Sequence, residues 1–274
     1  MSDLYAVIGN PIAHSRSPLI HAEFSRQTGQ DVRYEAILAP ANAFAATVEI
    51  FRRRGGKGMN VTVPFKIEAC KISSRLTERA RAAQAVNTLV FDAGEILGDN
   101  TDGAGLVRDI IFNLEFSLSA KQVLLMGAGG AARGAMLPLL EHQPSMLTIA
   151  NRAKQKAHEL RQQFSCYGNI ISGDYADLRG RKFDLVINAT SASLNGKLPL
   201  LPPGIFAGES LAYDMMYGGE HTPFLQFAKQ QGVKRLADGI GMLVEQAAES
   251  FFLWRGIRPQ TAPVIEMLQK FEVW

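Results

Sequence analysis

With 274 residues, 47% of them hydrophobic and 20% charged, and a formal charge of +3, the chain has the makeup of a two-domain globular protein, which excludes the disordered, fibrous and repeat classes. It carries no acidic or basic tail, and its one basic run, Arg52-Arg53-Arg54, reads as a solvated helix end, so neither nucleic acid nor a membrane is an expected partner. Two distant cysteines, Cys70 and Cys166, with no His at ligand spacing, exclude a disulfide framework and a zinc site and predict a reducing cytoplasm.

The N-terminus has no basic n-region, and no apolar stretch is long and unbroken enough to span a bilayer, so the sequons Asn60-Val61-Thr62 and Asn188-Ala189-Thr190 need a reading other than glycosylation. Short apolar runs alternate with helix-like stretches, the pattern of an α/β protein with a mostly parallel sheet. Strands are predicted at about 4–9, 33–38, 58–63, 87–91 and 96–99, with helices over 18–28, 42–54, 76–84 and 103–114. A boundary near 100–120 is marked by the strand-like run Gln122-Val123-Leu124-Leu125-Met126, which restarts the pattern and leads at once into a glycine cluster. Strands follow at about 122–127, 146–150, 168–172, 184–189, 210–214 and 233–236, with helices over 130–142, 153–164 and 222–231. Two helices, 240–255 and 260–271, close the chain around Gly256 and Pro259. Two domains with the ligand in a cleft between them are the usual consequence.

Chemistry-bearing residues gather at predicted strand ends. Ser15 and Ser17 lie in the loop Gly9–Pro18 after the first strand, where two hydroxyls can hold a carboxylate; Ser17 before Pro18 is also a helix N-cap by residue type. In Asn60-Val61-Thr62-Val63-Pro64-Phe65-Lys66 a period of two puts Asn60 and Thr62 on one strand face, with Lys66 just past the strand end. Asn87 and the stretch Gly98-Asp99-Asn100-Thr101-Asp102-Gly103 add an amide and a carboxylate. Amides, hydroxyls, a carboxylate and one ammonium suit a polyhydroxylated ligand, whose hydroxyls each need a donor and an acceptor. Taken singly, Asn100 and Asp102 also read as turn or cap residues and Lys66 as a surface amine.

The cluster Gly127-Ala128-Gly129-Gly130-Ala131-Ala132 fits the G-x-G-x-x-G/A dinucleotide fingerprint: Gly127 for the tight turn, Gly129 for close approach of a pyrophosphate, Ala132 for helix–strand packing. At the end of the next strand an NAD site would carry Asp or Glu; the residues here are Asn151 and Arg152, with Lys154 and Lys156 beyond, which favours NADP. These are also ordinary residues for an exposed helix start.

The stretches Gly9–Pro18, Gly58–Lys66, Ala85–Thr88, Gly98–Gly103, Gly127–Gly134, Asn151-Arg152, Asn188–Ser191, Tyr213–Tyr217 and Asp238–Gln246 together resemble the shikimate dehydrogenase family, in family order along almost the whole chain. The resemblance implies NADPH-dependent reduction of 3-dehydroshikimate to shikimate, in aromatic amino-acid biosynthesis, on a Rossmann-type doubly wound domain and an α/β substrate domain. It assigns the substrate carboxylate to Ser15 and Ser17 with Tyr217, and the ring hydroxyls to Asn60, Thr62, Asn87, Asp102 and Gln246. Lys66 and Asp102 match the family's catalytic pair. The glycine loop, Asn151, Arg152, Thr190, Met215 and Gly239 match its cofactor contacts, and Lys156 is added as a candidate. It further implies a discontinuous substrate domain, 1–103 with 240–274, around a cofactor domain of 104–239, no metal, and a cytoplasmic monomer or homodimer. The segment Ala192-Ser193-Leu194-Asn195-Gly196 departs from the family's usual small-residue versions. Two alternatives stay open: a quinate/shikimate enzyme using either nicotinamide cofactor, and a non-catalytic sensor, which would be expected to lose Lys66 or Asp102.

Overall fold

The computed structural model describes residues 2–190, 192, 201–218 and 221–271; the departure at 192–196 and Ser191 lie, Ala192 apart, outside the described residues. The chain divides into two compact units, Met1–Gly105 with Val244–Met267, and Leu106–Leu243 with Leu268–Trp274.

In the first unit, β1 (Asp3–Gly9), α1 (Ser17–Thr28), β2 (Val32–Leu38), α2 (Phe44–Arg53), β3 (Gly56–Val61), α3 (Lys66–Ile72), β4 (Arg75–Leu76), α4 (Glu78–Ala83), β5 (Thr88–Asp92) and β6 (Glu95–Asp99) build one sheet of order β2-β1-β3-β5-β6-β4. β1 pairs parallel with β2 and β3, whereas β3–β5 and β5–β6 are antiparallel, so this sheet is mixed where a mostly parallel one is predicted. The reason is local. Only Ala93 and Gly94 separate β5 from β6, both with positive φ, and such a two-residue turn returns the chain alongside itself.

Three further differences bear on function. α3 is not among the predicted helices, being seven residues long and too short to display a period; it places Lys66 in its first turn. The predicted helix 76–84 begins only at Glu78, because Arg75 and Leu76 pair with β6 and Thr77 caps α4, accepting from the Ala80 N–H. Ser17 does not cap α1: the N-cap is Arg16, no side chain caps it, and the Ser15 Oγ instead accepts the Ser17 N–H at 3.3 Å.

α1 buries Ser17, Ile20, His21 and Phe24, an i, i+3, i+4, i+7 stripe, and ends at Gly29 in the left-handed conformation. His21 is wholly buried, stacked on Tyr34 at 4.2 Å between ring centroids, with Phe24, Phe251 and Trp254 around it. Neither ring nitrogen has a hydrogen-bond partner. Burial holds its pKa down to about 3, with Asn60 opposing. The folded state therefore keeps His21 neutral, while the unfolded chain takes up a proton below about pH 6.5. Stability from this residue is present above that pH and is lost as pH falls toward 3, by at most about 1.4 kcal/mol per pH unit. His21→Phe is expected to flatten the stability–pH curve between pH 6 and 4, as read by urea unfolding; curves that stay parallel to wild type would refute this.

The second unit contains β7 (Gln122–Met126), α6 (Gly130–Glu141), β8 (Met146–Ala150), α7 (Lys154–Phe164), β9 (Ile170–Gly173), β10 (Phe183–Asn188), β11 (Phe206–Asp214), α8 (Pro223–Gln230) and β12 (Arg235–Ala237). Before β7, α5 (Asp102–Arg108) passes into a π-helical turn, Asp109–Asn113. The sheet is parallel throughout, of order β12-β11-β10-β7-β8-β9, the doubly wound dinucleotide-binding order. Val123, Leu124, Leu125 and Met126 are all fully buried, as a central strand covered on both faces requires. α9 (Ile240–Arg255) and α10 (Ala262–Phe271) follow, and the stretch Val244–Met267 belongs to the first unit. No helix of the described residues is long and apolar enough to cross a membrane.

Candidate active site

Lys66 and Asp102, 36 positions apart, meet in the first unit: the Lys66 Nζ donates to the Asp102 Oδ2 at 2.5 Å. Each comes from the first turn of a short helix at a strand's carboxyl side, α3 after β3 and α5 after β6. The Val86 N–H donates to the Lys66 carbonyl at 2.9 Å and the Asn87 N–H to that of Asp99 at 3.0 Å, so the segment before β5 locks both helix starts in place. The pair is only partly buried, with side-chain exposures of 29% and 13%, leaving the ammonium reachable.

Asn87 sits behind the pair. Its Nδ2 donates to the Asp102 Oδ1 at 2.7 Å, to the Thr101 Oγ1 at 2.9 Å and to the Gln246 Oε1 at 3.3 Å, while its Oδ1 accepts from the Thr101 N–H at 2.8 Å. Asp102 thus has one oxygen on Lys66 and the other on Asn87. From Thr88 the network runs on through Ser250, 2.8 Å away, to the Nδ2 of Asn60 at 2.9 Å, and the Asn60 Oδ1 accepts from the Tyr34 hydroxyl at 2.7 Å. With its amide hydrogens turned inward, Asn60 has an Oδ1 lone pair to offer a ligand hydroxyl, an acceptor role.

Of the sequence-predicted substrate residues, Lys66, Asn87, Asp102 and Gln246 are in contact, and Asn60 joins them both directly, its Nδ2 donating to the Asn87 carbonyl at 3.3 Å, and through Thr88 and Ser250. Ser15 and Ser17 bond to each other, and Ser17 also interacts with the Tyr34 phenol, whose pKa burial raises and Ser17 partly restores. Thr62 lies just past β3, its N–H on the Ile8 carbonyl at 2.9 Å. Tyr217 follows β11 and belongs to the second unit. Sequence reasoning misses Tyr34, Thr88, Thr101 and Ser250; the available signals are that Thr88 and Thr101 adjoin Asn87 and Asp102, and that Ser250 lies one helical turn beyond Gln246.

Behind this network, the buried Asp99 receives Arg79 on both oxygens, at 2.8 and 2.5 Å, and Arg79 also reaches Glu249 at 3.0 Å. Burial raises the Asp99 pKa, but the Arg79 bonds and charge outweigh it and carry the carboxyl below its ordinary value. The guanidinium thereby ties the strand end that presents Asp102 to the helix that presents Gln246.

In the second unit, the glycine loop lies between β7 and α6. Gly127 has φ 106°, and a Cβ there would come within 3.1 Å of the Ala189 carbonyl and 3.2 Å of the Thr190 methyl, so only glycine fits. A Cβ at Gly129 or Gly130 would meet nothing within 4 Å: the loop faces open space at the N-terminus of α6, whose first N–H groups have no intrahelical acceptor. Ala132 is fully buried against the sheet. Open backbone N–H groups at a helix N-terminus suit an anionic group of the size of a pyrophosphate. At the end of β8, the Asn151 amide is bonded to the Ala153 carbonyl at 2.9 Å and Arg152 is exposed, its charge acting on Tyr175. Lys154 pairs with Asp177 at 2.7 Å, so its charge is compensated and it adds little to an anion site; Lys156 is exposed on α7.

Family models match most of the chain: "Shikimate dehydrogenase substrate binding domain" over residues 7–89, "Shikimate / quinate 5-dehydrogenase" over 109–195, and "Shikimate 5'-dehydrogenase C-terminal domain" over 239–269. A curated "Shikimate dehydrogenase (NADP(+))" of Nitrosospira multiformis is 72% identical over 98% of both chains. The chain belongs to the shikimate dehydrogenase family. Among solved structures, the Ael1 enzyme from Pseudomonas putida is similar with TM-score 0.92 and 51% identity, over 97% of this chain and 98% of that one. A shikimate 5-dehydrogenase from Thermus thermophilus, solved in complex with NADP(H) and shikimate, is similar with TM-score 0.86 and 30% identity, over 98% and 99%. Membership fixes the two-sheet architecture as that of a shikimate dehydrogenase, with the parallel sheet as its Rossmann part.

Proposed function

We propose that this chain catalyses the NADPH-dependent reversible reduction of 3-dehydroshikimate to shikimate, with Lys66 and Asp102 as its acid–base pair. The first unit binds the carboxylated polyol and carries the pair; the second binds the dinucleotide, whose reduced nicotinamide supplies the hydride when bound. The observation that carries the mechanism is the 2.5 Å contact of Lys66 with a carboxylate whose other oxygen is held by Asn87. As negative charge develops on the substrate's ketone oxygen, the Lys66 ammonium stabilises it and gives up a proton from Nζ; in the oxidative direction Lys66 takes the hydroxyl proton back. Asp102, fixed from behind, aims the ammonium. Asn87, Gln246 and Asn60 orient ring hydroxyls, while Ser15 and Ser17, with Tyr217, take the carboxylate. The enzyme works in the cytoplasm, as a monomer or homodimer.

Cofactor choice falls to Arg152. Asn151, Lys156, Thr190, Met215 and Gly239 complete the dinucleotide contacts with the glycine loop. No acidic side chain stands at 151 or 152 to accept the ribose hydroxyls of NAD and repel a 2′-phosphate, and the exposed guanidinium is free to pair with that phosphate. Arg152→Ala is expected to lower kcat/KM for NADPH about ten- to a hundredfold, the worth of one charge-assisted phosphate contact, and to change it little for NADH. Equal losses with both cofactors would remove Arg152 from this role. The activity itself is tested by NADPH formation from shikimate and NADP+ beside quinate and NAD+. Turnover with shikimate and NADP+ at least tenfold above either alternative is the expected result, and quinate or NAD+ performing equally would favour the broader enzyme.

A further inference from the structure

We infer that Arg79, on α4, is a positioning residue that holds Asp102 and Gln246 at the separation at which both engage Asn87, and so sets the aim of the Lys66 ammonium and the seat of the ring hydroxyls. This rests on the reading of Asp102 and Gln246 as groups that serve the substrate. Two short segments carry them: Asp99 to Asp102, where β6 passes into α5, and Gln246 to Glu249 on α9, an i, i+3 pair in both cases. The segments are bridged twice. Asn87 joins their site ends, its Nδ2 donating to the Asp102 Oδ1 at 2.7 Å and to the Gln246 Oε1 at 3.3 Å. Arg79 joins their far ends. Its Nε and Nη2 donate to the two Asp99 oxygens at 2.8 and 2.5 Å, and its Nη1 and Nη2 both donate to the Glu249 Oε1 at 3.0 Å.

The two bridges differ in strength. The Asn87–Gln246 contact is long and joins two neutral amides, whereas each Arg79 bond is shorter and joins opposite charges, a class roughly twice as strong. Burial opposes the charge on Asp99 and on Glu249, and the guanidinium bonds overcome it, from Arg79 on Asp99 and from Arg258 and Arg79 on Glu249. Asp99 is a fixed anchor, because its Oδ1 also accepts the Asn100 N–H at 2.7 Å and the Thr77 hydroxyl at 2.5 Å. Asn100 passes the constraint on, its Oδ1 accepting the Asp102 N–H at 3.2 Å. On α9, Gln246 and Glu249 share one helix face a turn apart, so where Arg79 draws Glu249, Gln246 follows. Only a planar fork can do this: it meets one carboxylate with two N–H groups and keeps others for the second.

The test cuts the Arg79 bridge from either end. Glu249→Ala removes the attachment on α9, leaves the Asp99–Arg79 pair intact and puts a strong helix former in the helix. Arg79→Lys keeps a counter-charge for the buried Asp99 but cannot span both carboxylates. In each variant kcat/KM for shikimate is expected to fall about ten- to a hundredfold, the cost of a misplacement of about 1 Å at a reacting centre. The shikimate Kd, read by calorimetry on enzyme without cofactor, is expected to rise about three- to tenfold, while the KM for NADP+ stays within twofold. Because both substitutions cut the same bridge, the double variant is expected to match the more impaired single variant, the two losses not multiplying. A lowered Tm with the shikimate Kd and kcat/KM both within twofold of wild type would make the network a support of the fold alone and overturn the inference. Should Arg79→Lys fail to fold, Glu249→Ala decides. Gln246→Ala, measured beside them, separates the two readings. If it raises the shikimate KM and Glu249→Ala does not, Arg79 has no positioning role. If it changes nothing, the reading of Gln246 as a substrate contact fails and the inference falls with it.

Discussion

Lys66→Ala is expected to lower kcat for shikimate oxidation by about 10²–10⁴-fold, the range for loss of a positioned general acid–base group, while the shikimate KM moves by no more than a few-fold. In the proposed mechanism Lys66 meets little new charge in the bound substrate and a large one in the transition state, when the carbinol oxygen carries alkoxide character. Its side chain is 29% exposed, so the fold does not depend on burying it, and the variant should fold normally. Lys66→Arg keeps the positive charge but releases a proton with great difficulty, and it should remain close to the alanine variant in kcat. A raised KM with kcat retained would make Lys66 a binding residue.

Asp102→Asn should cost about 10²–10³-fold in kcat/KM, in the range of losing one preorganised polar group at a reacting centre. Two donors approach this side chain from different directions, the Lys66 Nζ on one oxygen and the Asn87 Nδ2 on the other, and an amide can accept from only one of them. Whichever way the new amide turns, it presents its NH2 to a donor. If it turns toward Lys66 the ammonium loses its anchor; if toward Asn87, the amide network that also holds Gln246 is broken. Both kcat and the shikimate KM should therefore change, in contrast to Lys66→Ala. Steady-state kinetics on the two variants, with circular dichroism to confirm folding, separates the patterns; an Asp102→Asn enzyme within threefold of wild type would contradict the anchoring role.

Much of this site is legible in the sequence because its parts are local. Gly127–Ala132 announces a strand-to-helix turn by residue type, and Asn60, Thr62 and Lys66 fall at one strand end by simple spacing. What is not legible is non-local or short. The seven residues of α3 display too little periodicity to be read as a helix, yet that helix sets where Lys66 points. Ser250 reaches Asn60 across 190 positions, and no local pattern anticipates that contact. Ser17 looks like an N-cap by residue type, but Tyr34 and burial draw its hydroxyl elsewhere and leave the cap without a side chain. Lys154 reads as a phosphate-binding charge until Asp177, from the turn after β9, is seen to hold it. The mixed first sheet follows from a two-residue turn that chain-wide alternation conceals.

In the proposed mechanism the Lys66 ammonium moves the proton. Chemical rescue of Lys66→Ala by a series of small primary amines of graded basicity tests it most directly, with kcat for shikimate oxidation measured at fixed concentrations of the free amine. Restoration that rises with amine basicity, giving a positive Brønsted slope, is the predicted result. Rescue independent of basicity, or none with any amine that fits the vacated space, would contradict it.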